Sequence, residues 1–297
     1  MDRPPKISVV TPNFNGAEYL EQTIASVLGQ NYPNLEFMVI DAASTDGSVE
    51  IIRKYEKQLA WWTSRPDKGH VYAIQEGLQR STGEIMAWLS SDDMYLPGAF
   101  STVAEIFSQH PEVEWLATTM PAAWNENGQA VLVKELHGFN RDSFLRGANL
   151  PGGDVYTRGA IQQESTFWRR SLWDRAGAYL DTSVPLAFDF ELWARFYQHA
   201  ELYGVRALLG GFRFRKNQNT DRYAKEYREE CGAILSRYGG IPYGRTQSWL
   251  RRNLAWRVVP LLKRVPRATS SGVLFPAKVW VHSGRGGAWT LTTKLII

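Results

Sequence analysis

The 297-residue chain has a single cysteine, Cys231, so it forms no internal disulfide, and a reducing compartment is expected. No uninterrupted apolar run approaches the ~20 residues of a spanning helix. The opening MDRPPKISVV lacks the apolar core of a secretory signal. The expected location is the cytoplasm. Three motifs are missing as well. Nothing reads G-x-G-x-x-G after the first strand-like run, which argues against a dinucleotide dehydrogenase. Nothing reads G-x-x-x-x-G-K-[ST], which argues against a P-loop NTPase. No H-E-x-x-H helix occurs, and His70, His110, His137, His199 and His282 are scattered. Acidic residues are absent from one end: residues 231–297 hold 11 Lys or Arg and no Asp or Glu. The first 230 residues hold 23 basic and 30 acidic groups, so a net of +4 hides an acidic body and a basic end. Such asymmetry points to a partner.

What is present is ordinary for a soluble globular protein, with 44% hydrophobic and 22% charged residues. The length suffices for one broad domain or for one domain with an appendage. The first hundred residues alternate two patterns. ISVVTP, LEFMVID, LAWWTSRP and GEIMAWLS read as strands. Between them AEYLEQTIASVLGQ, GSVEIIRKYEKQL and HVYAIQEGLQRS read as helices, the second capped by Ser48 or Asp46. PGAFSTVAEIFSQH reads as a helix opened by proline, and VEWLATTM as a fifth strand. Strands alternating with helices predict an α/β fold, a mainly parallel sheet flanked by helices on both faces.

In such sheets ligands bind beyond the carboxyl ends of the strands. The first strand ends in Thr11, Pro12, Asn13 and Asn15, and the second in Asp41 with Ser44, Thr45 and Asp46 behind it. The third leads to Arg65, Asp67, Lys68 and Gly69, next to His70. The fourth ends in Ser90, Ser91, Asp92 and Asp93. Turns are polar in any case, but adjacent carboxylates at a strand tip repel each other. That arrangement suits a hard cation such as Mg2+ or Mn2+, held by one or two carboxylates together with substrate phosphates.

These segments carry a resemblance. ISVVTPNFNGAEYLEQTIASVLGQNYPNLEFMVIDAASTDGSVEII, followed by RPDKGHVYAIQEGLQRSTGEIMAWLSSDD, resembles the family 2 glycosyltransferases of GT-A fold. IQQESTFWRRSLWDRAGAYLDTSVPLAFDFELWARF is similar to that family's acceptor half, so the likeness runs from Lys6 to Phe196, two thirds of the chain. The resemblance implies sugar transfer, usually with inversion, from a nucleotide-diphosphate donor such as a UDP-, GDP- or dTDP-sugar to an acceptor hydroxyl. It implies that Thr11, Pro12, Asn13, Asn15, Asp41, Asp67, Lys68 and Asp92 bind the nucleotide, with Asp41 near the base and Asp92 by the ribose and diphosphate. It implies that Asp93 ligates Mn2+ or Mg2+ and that Asp189 is the catalytic base. Gln163, Glu164, Trp168 and Glu191 are expected on the acceptor side, although Trp168 has the alternative of a core position, Glu191 that of bracing its helix, and Asp189 that of capping one. Two departures stand out. Ser90 replaces an aspartate common in relatives, and His70, Val71 and Tyr72 replace a frequent Gln-Ser-Asp.

The expected organisation is a catalytic domain over 1–220, divided into a nucleotide-binding half (1–100) and an acceptor half (101–220), then a basic helical extension over 221–297. In that extension Trp249, Leu250, Leu254, Trp256, Val258 and Leu261 can form one side and Arg251, Arg252, Arg257, Lys263 and Arg264 the other. Basic helices carrying Trp lie on anionic membranes, which suits a saccharide or lipid-linked acceptor in cell-surface polysaccharide or glycolipid synthesis. Pro260 and Pro266 interrupt any long helix, and packing of the segment on the domain is the alternative. Nothing besides charge suggests nucleic acid. Two other functions fit the sheet less well. A sugar nucleotidyltransferase wants a glycine-rich basic loop where the chain has TPNFNGAEYL, and a silent carbohydrate-binding protein has no need of Asp41, Asp92, Asp93 and Asp189 together.

Overall fold

The computed structural model describes residues 3–150, 159–216, 218, 222–244, 275–284 and 287–296. The first half follows the alternation expected: β1 (Ile7–Asn13), α1 (Ala17–Leu28), β2 (Leu35–Asp41), α2 (Ser48–Tyr55), β3 (Trp61–Ser64), α3 (His70–Arg80), β4 (Ile85–Trp88), the short β5 (Met94–Tyr95), α4 (Ala99–Gln109) and β6 (Trp115–Thr118). The second half holds β7 (Ala122–Trp124), β8 (Ala130–Val133), α5 (Arg141–Leu145), β9 (Thr166–Arg169), α6 (Arg170–Arg175), α7 (Phe188–Phe196), β10 (Leu202–Val205) and β11 (Gly210–Arg213). A further helix, α8 (Ala224–Arg237), precedes the hairpin β12 (Phe275–His282) and β13 (Trp289–Ile296).

Among the described residues nine strands form one sheet in the order β13-β12-β10-β6-β9-β4-β1-β2-β3. β3, β2, β1 and β4 are parallel neighbours, whereas β9 runs antiparallel between β4 and β6. Side chains alternate across this sheet as strand geometry demands. Val9, Phe37, Val39, Ala87 and Leu89 face α1, α2 and α4, while Val10, Met38, Ile40, Met86 and Trp88 face α3, α7 and α8. Gly77 permits the close approach of α3, since a Cβ there would lie 2.3 Å from a methyl of Val10. A smaller sheet, β5-β11-β7-β8, stands beside the tip of β4.

Two helix starts differ from expectation. α2 begins at Gly47, whose φ of 98° suits glycine, and Asp46 reaches past it to accept the N–H of Ser48. α4 begins at Gly98, so Pro97 precedes the helix instead of opening it. Beyond residue 220, the described residues join the body. Cys231, Ile234 and Leu235 of α8 lie in the core that holds Trp88 and Trp193, and β12 pairs with β10. The expected amphipathic stretch, from Trp249 to Arg264 with Pro260 and Pro266, lies outside the described residues. Among the described residues no helix is long and apolar enough to cross a membrane.

Candidate active site

The register of the parallel strands brings their tips level: Asn13 pairs with Asp41, and Asp41 with Ser64. Asp41 is fully buried and binds all three tips. It accepts from Asn13 Nδ2 at 2.7 Å, from the Ser44 hydroxyl and N–H, and from the Ser64 hydroxyl at 2.6 Å. Asn15 ties the β1 loop to the next one, its N–H to Ser44 Oγ and its Oδ1 from the N–H of Thr45. Thr11 and Asn13 are buried, and Thr11 Oγ1 and Asn13 Oδ1 have no hydrogen-bond partner among the described residues. Gly16 lets the β1 loop meet the β4 loop, because a Cβ there would fall 2.9 Å from Ser91 Oγ. Asp67 and Lys68 are exposed on the loop before α3. Asp67 accepts the N–H of Gly69, and Lys68 Nζ lies 5.8 Å from the Tyr72 ring.

The β4 tip is pinned from α1, where the Thr23 hydroxyl reaches the carbonyls of Ser91 (2.9 Å) and Asp93 (2.8 Å). Asp92 and Asp93 then part company. Asp92 is half-buried and ion-paired with Arg215, whose Nε lies 2.6 Å from Oδ2. Asp93 is 2% exposed, accepts the backbone N–H of Arg213 at 2.8 Å, and hydrogen-bonds to Glu164. Burial first, then the negative charge of Glu164 and Asp92, holds the Asp93 carboxyl well above the usual carboxylate range. Glu164 is pushed up by burial too, so the pair retains a proton. Arg213, fully buried, fastens the small sheet to this tip. Its guanidinium donates to the carbonyls of Asp92, Asn125 and Glu126 and to Gln22 Oε1, over the Tyr19 ring. Beside the Asp92–Arg215 pair a groove of about 410 Å³ opens between the Asn125–Asn127 turn and Phe214–Lys216.

Asp189 enters from the other side, in the first turn of α7. Phe188 beside it packs 5.9 Å from both the Trp88 ring and the His70 ring, which ties this turn to the end of β4 and to α3. Asp189 is half-buried. Its Oδ1 accepts its neighbour's N–H, Phe190, at 2.7 Å and the Tyr227 hydroxyl at 3.1 Å. Burial pushes its carboxyl up to about 6, against the N–H and phenol that favour the charged form. Asp189 is not the helix cap, because Ala187 holds that position. Glu164 stands between the two ends of the site, bonded to Asp93 and close enough to Asp189 to feel its charge.

Two acceptor-side expectations are corrected. Trp168 is fully buried, 5.4 Å from Trp88 and 6.0 Å from Trp193 in an aromatic core, and has no face for a sugar. Glu191 is also fully buried. Arg195 bridges it one turn on at 2.8 Å and the Tyr238 hydroxyl donates to it at 2.6 Å, so it braces α7. Glu164 partners Asp93 and is 7% exposed. Gln163 is half-buried with its amide on the Trp88 carbonyl at 2.6 Å. Four residues at the site were not anticipated: Arg213, Arg215, Tyr227 and Glu230. A signal existed for the first pair in FRFRK, basic residues alternating off the end of a short apolar run. Tyr227 and Glu230 give none, because their partners lie about 40 residues away.

A divalent cation is compatible with this chemistry in part. The donors at the β4 tip are hard oxygens, and three mutually repelling carboxyls there, Asp92, Asp93 and Glu164, are relieved by a retained proton and by Arg215. Among the described residues no three acidic, histidine or cysteine side chains are grouped to hold an ion alone. Phosphates and water would have to complete the shell, as is usual for Mg2+.

Residues 8–146 match the model described as "Glycosyl transferase family 2". An uncharacterized glycosyltransferase of Rickettsia conorii is 23% identical over 292 residues, covering 91% of this chain and 47% of its own. One from Rickettsia bellii is 25% identical over 236 residues, 79% of this chain and 33% of that protein. The chain thus spans a third to a half of the length of these curated relatives. Bacillus subtilis TuaG, a putative teichuronic acid biosynthesis glycosyltransferase, is 36% identical over 94 residues, 31% of this chain and 37% of TuaG. Among solved structures, S. aureus TarS with UDP-GlcNAc superposes with a TM-score of 0.60 at 16% identity, covering 90% of this chain and 78% of that one. The mannosyltransferase PcManGT from Pyrobaculum calidifontis, with GDP-Man and Mn2+, gives 0.54 at 16% identity over 91% and 85%. Residues 8–146 thus carry the likeness to the glycosyl transferase family 2 model, and the mainly parallel sheet with its acidic tip has the fold of these solved glycosyltransferases.

Proposed function

We propose that the chain is a metal-dependent, inverting glycosyltransferase that moves a sugar from a nucleotide-diphosphate donor to an acceptor hydroxyl in cell-surface polysaccharide or glycolipid synthesis. One observation carries this reading: the half-buried carboxylate of Asp189, in the first turn of α7, lies close enough to Glu164, the hydrogen-bond partner of Asp93, for its charge to act there, and its own carboxyl is raised to about 6. Such a group is ionised at neutral pH yet still basic enough to take the acceptor's proton as the hydroxyl attacks. Direct attack inverts the anomeric carbon and needs no nucleophilic side chain. The donor base and ribose fit beyond β1 and β2, where Thr11 Oγ1 and Asn13 Oδ1 lack partners among the described residues and Asp41 keeps the loops in register. Asp67 and Lys68 border the same side.

Asp92 would face the ribose and diphosphate, and Asp93 would ligate Mn2+ or Mg2+ after the Asp93–Glu164 pair releases its proton. Bound there, the cation supplies positive charge to the departing diphosphate. Arg215, released from Asp92, can follow the same charge. That TarS is described with UDP-GlcNAc and PcManGT with GDP-Man and Mn2+ supports the donor class and the metal. The basic stretch from Trp249 to Arg264, with a lipid-linked acceptor, would lie on an anionic membrane at the inner face.

The test is 31P NMR of UDP-, GDP- and dTDP-sugars incubated with the protein, Mn2+ and candidate acceptors on anionic or neutral vesicles. The expected outcome is release of one nucleoside diphosphate, suppressed by EDTA, with a product of inverted anomeric configuration. Greater activity on anionic vesicles at low salt is expected if the basic stretch docks. Release of pyrophosphate from a nucleoside triphosphate and a sugar phosphate would replace this reading with nucleotidyl transfer.

A further inference from the structure

The start of the helix that presents Asp189 is held from two places. Ala187 at the N-cap has no polar side chain, and in the first turn Asp189 Oδ1 accepts the N–H of Phe190. The turn leading into the helix is held from α8. The Glu230 carboxylate accepts the N–H of Leu186 at 3.0 Å and of Ala187 at 2.8 Å. One turn earlier on the same face of α8, the Tyr227 hydroxyl lies 3.1 Å and 3.3 Å from the two oxygens of Asp189. Beneath them Cys231, Ile234 and Leu235 are buried in the body's core, which seats this face of α8 on the sheet's helices. None of this lies within residues 8–146.

We infer that α8 is part of the catalytic apparatus: Tyr227 is a positioning residue that fixes the Asp189 carboxylate through its phenol, and Glu230 fixes the turn that carries it. The inference rests on Asp189 being the base. The groups facing Asp189 make the two contributions separable. From α8 come Tyr227, Glu230 and Cys231; from the turn before β9 comes Glu164; and His70 of α3 packs on the neighbouring Phe188. The phenol donates to the carboxylate and favours its charged form, whereas the negative charge of Glu230 disfavours it. Losing one should therefore move the titration of Asp189 opposite to losing the other.

The experiment measures kcat against pH, with donor Kd and Tm, for the wild type, Tyr227→Phe, Glu230→Gln and Asp189→Asn. In the wild type kcat should rise as pH climbs through about 6, the point at which Asp189 becomes ionised. Tyr227→Phe keeps the ring and its packing. It should lower kcat about tenfold at pH 7, leave donor Kd within about twofold, and move the acidic limb to higher pH. In Glu230→Gln the amide oxygen still accepts an N–H, and the limb should move to lower pH. Unchanged limbs in both variants, or a loss in Tyr227→Phe that follows Tm alone, would overturn the inference while an inactive Asp189→Asn leaves the base assignment standing. An active Asp189→Asn would overturn both.

Discussion

Asp189→Asn is expected to lower kcat about a thousandfold with donor affinity unchanged within about twofold. The substitution is nearly isosteric, and the asparagine Oδ1 can still accept the N–H of Phe190 and the Tyr227 hydroxyl, at 2.7 and 3.1 Å from the aspartate. What disappears is the capacity to take a proton. Folding should not suffer, because Asp189 is a carboxylate that burial disfavours in its charged form. Tm at pH 8 is expected to stay level or rise slightly. The measurement is single-turnover transfer with the donor saturating, alongside calorimetric titration of the donor. Turnover within about threefold of the wild type would remove Asp189 from the chemistry.

The second large effect is at Asp93. With a nucleoside diphosphate and Mn2+ each in about hundredfold excess over Kd, the wild type should gain on the order of 2.7 kcal/mol, a Tm rise of roughly 5 °C or more. Asp93→Asn should lose most of that gain and about a thousandfold in kcat/KM. The apo variant should be at least as stable as the wild type. Its amide oxygen still accepts the Arg213 N–H, and a neutral side chain beside Glu164 removes the repulsion that now keeps a proton on the pair. Loss of apo stability by several degrees, with full metal-dependent stabilisation retained, would make Asp93 a structural residue. Thermal melts with Mn2+, Mg2+ and EDTA separate the two.

The first hundred residues were legible because their signals are local. Period-2 apolar runs ended in polar tips, helices carried their own spacing, and parallel registry then aligned Asn13, Asp41 and Ser64 without any further information. Asp92 and Asp93 were legible as a pair at a tip, but their division of labour was not. It depends on Arg215 and on the Arg213 N–H, both some 120 residues further along. β9 was missed as an antiparallel strand between β4 and β6, since Thr166–Arg169 has four residues and no period to read. Glu164 looked like an acceptor ligand from its neighbours Gln162 and Gln163, and only the approach of β9 to β4 buries it beside Asp93. Trp168 illustrates the same point: its choice between sugar and core was made by Trp88 and Trp193, which no window around residue 168 contains. The segment beyond 220 read as an appendage because its composition changes there, yet α8 brings Tyr227 to Asp189 and Glu230 to the turn before it.

Anomalous diffraction at the manganese edge, from a crystal grown with Mn2+ and the nucleoside diphosphate, tests the central claim most directly. The account predicts a manganese peak within coordination distance of an Asp93 carboxylate oxygen and of the diphosphate, with the nucleoside beyond β1 and β2 and Asp189 across the cleft. A nucleotide bound away from those strand tips, or a manganese ion whose shell contains no oxygen of Asp93, would contradict it.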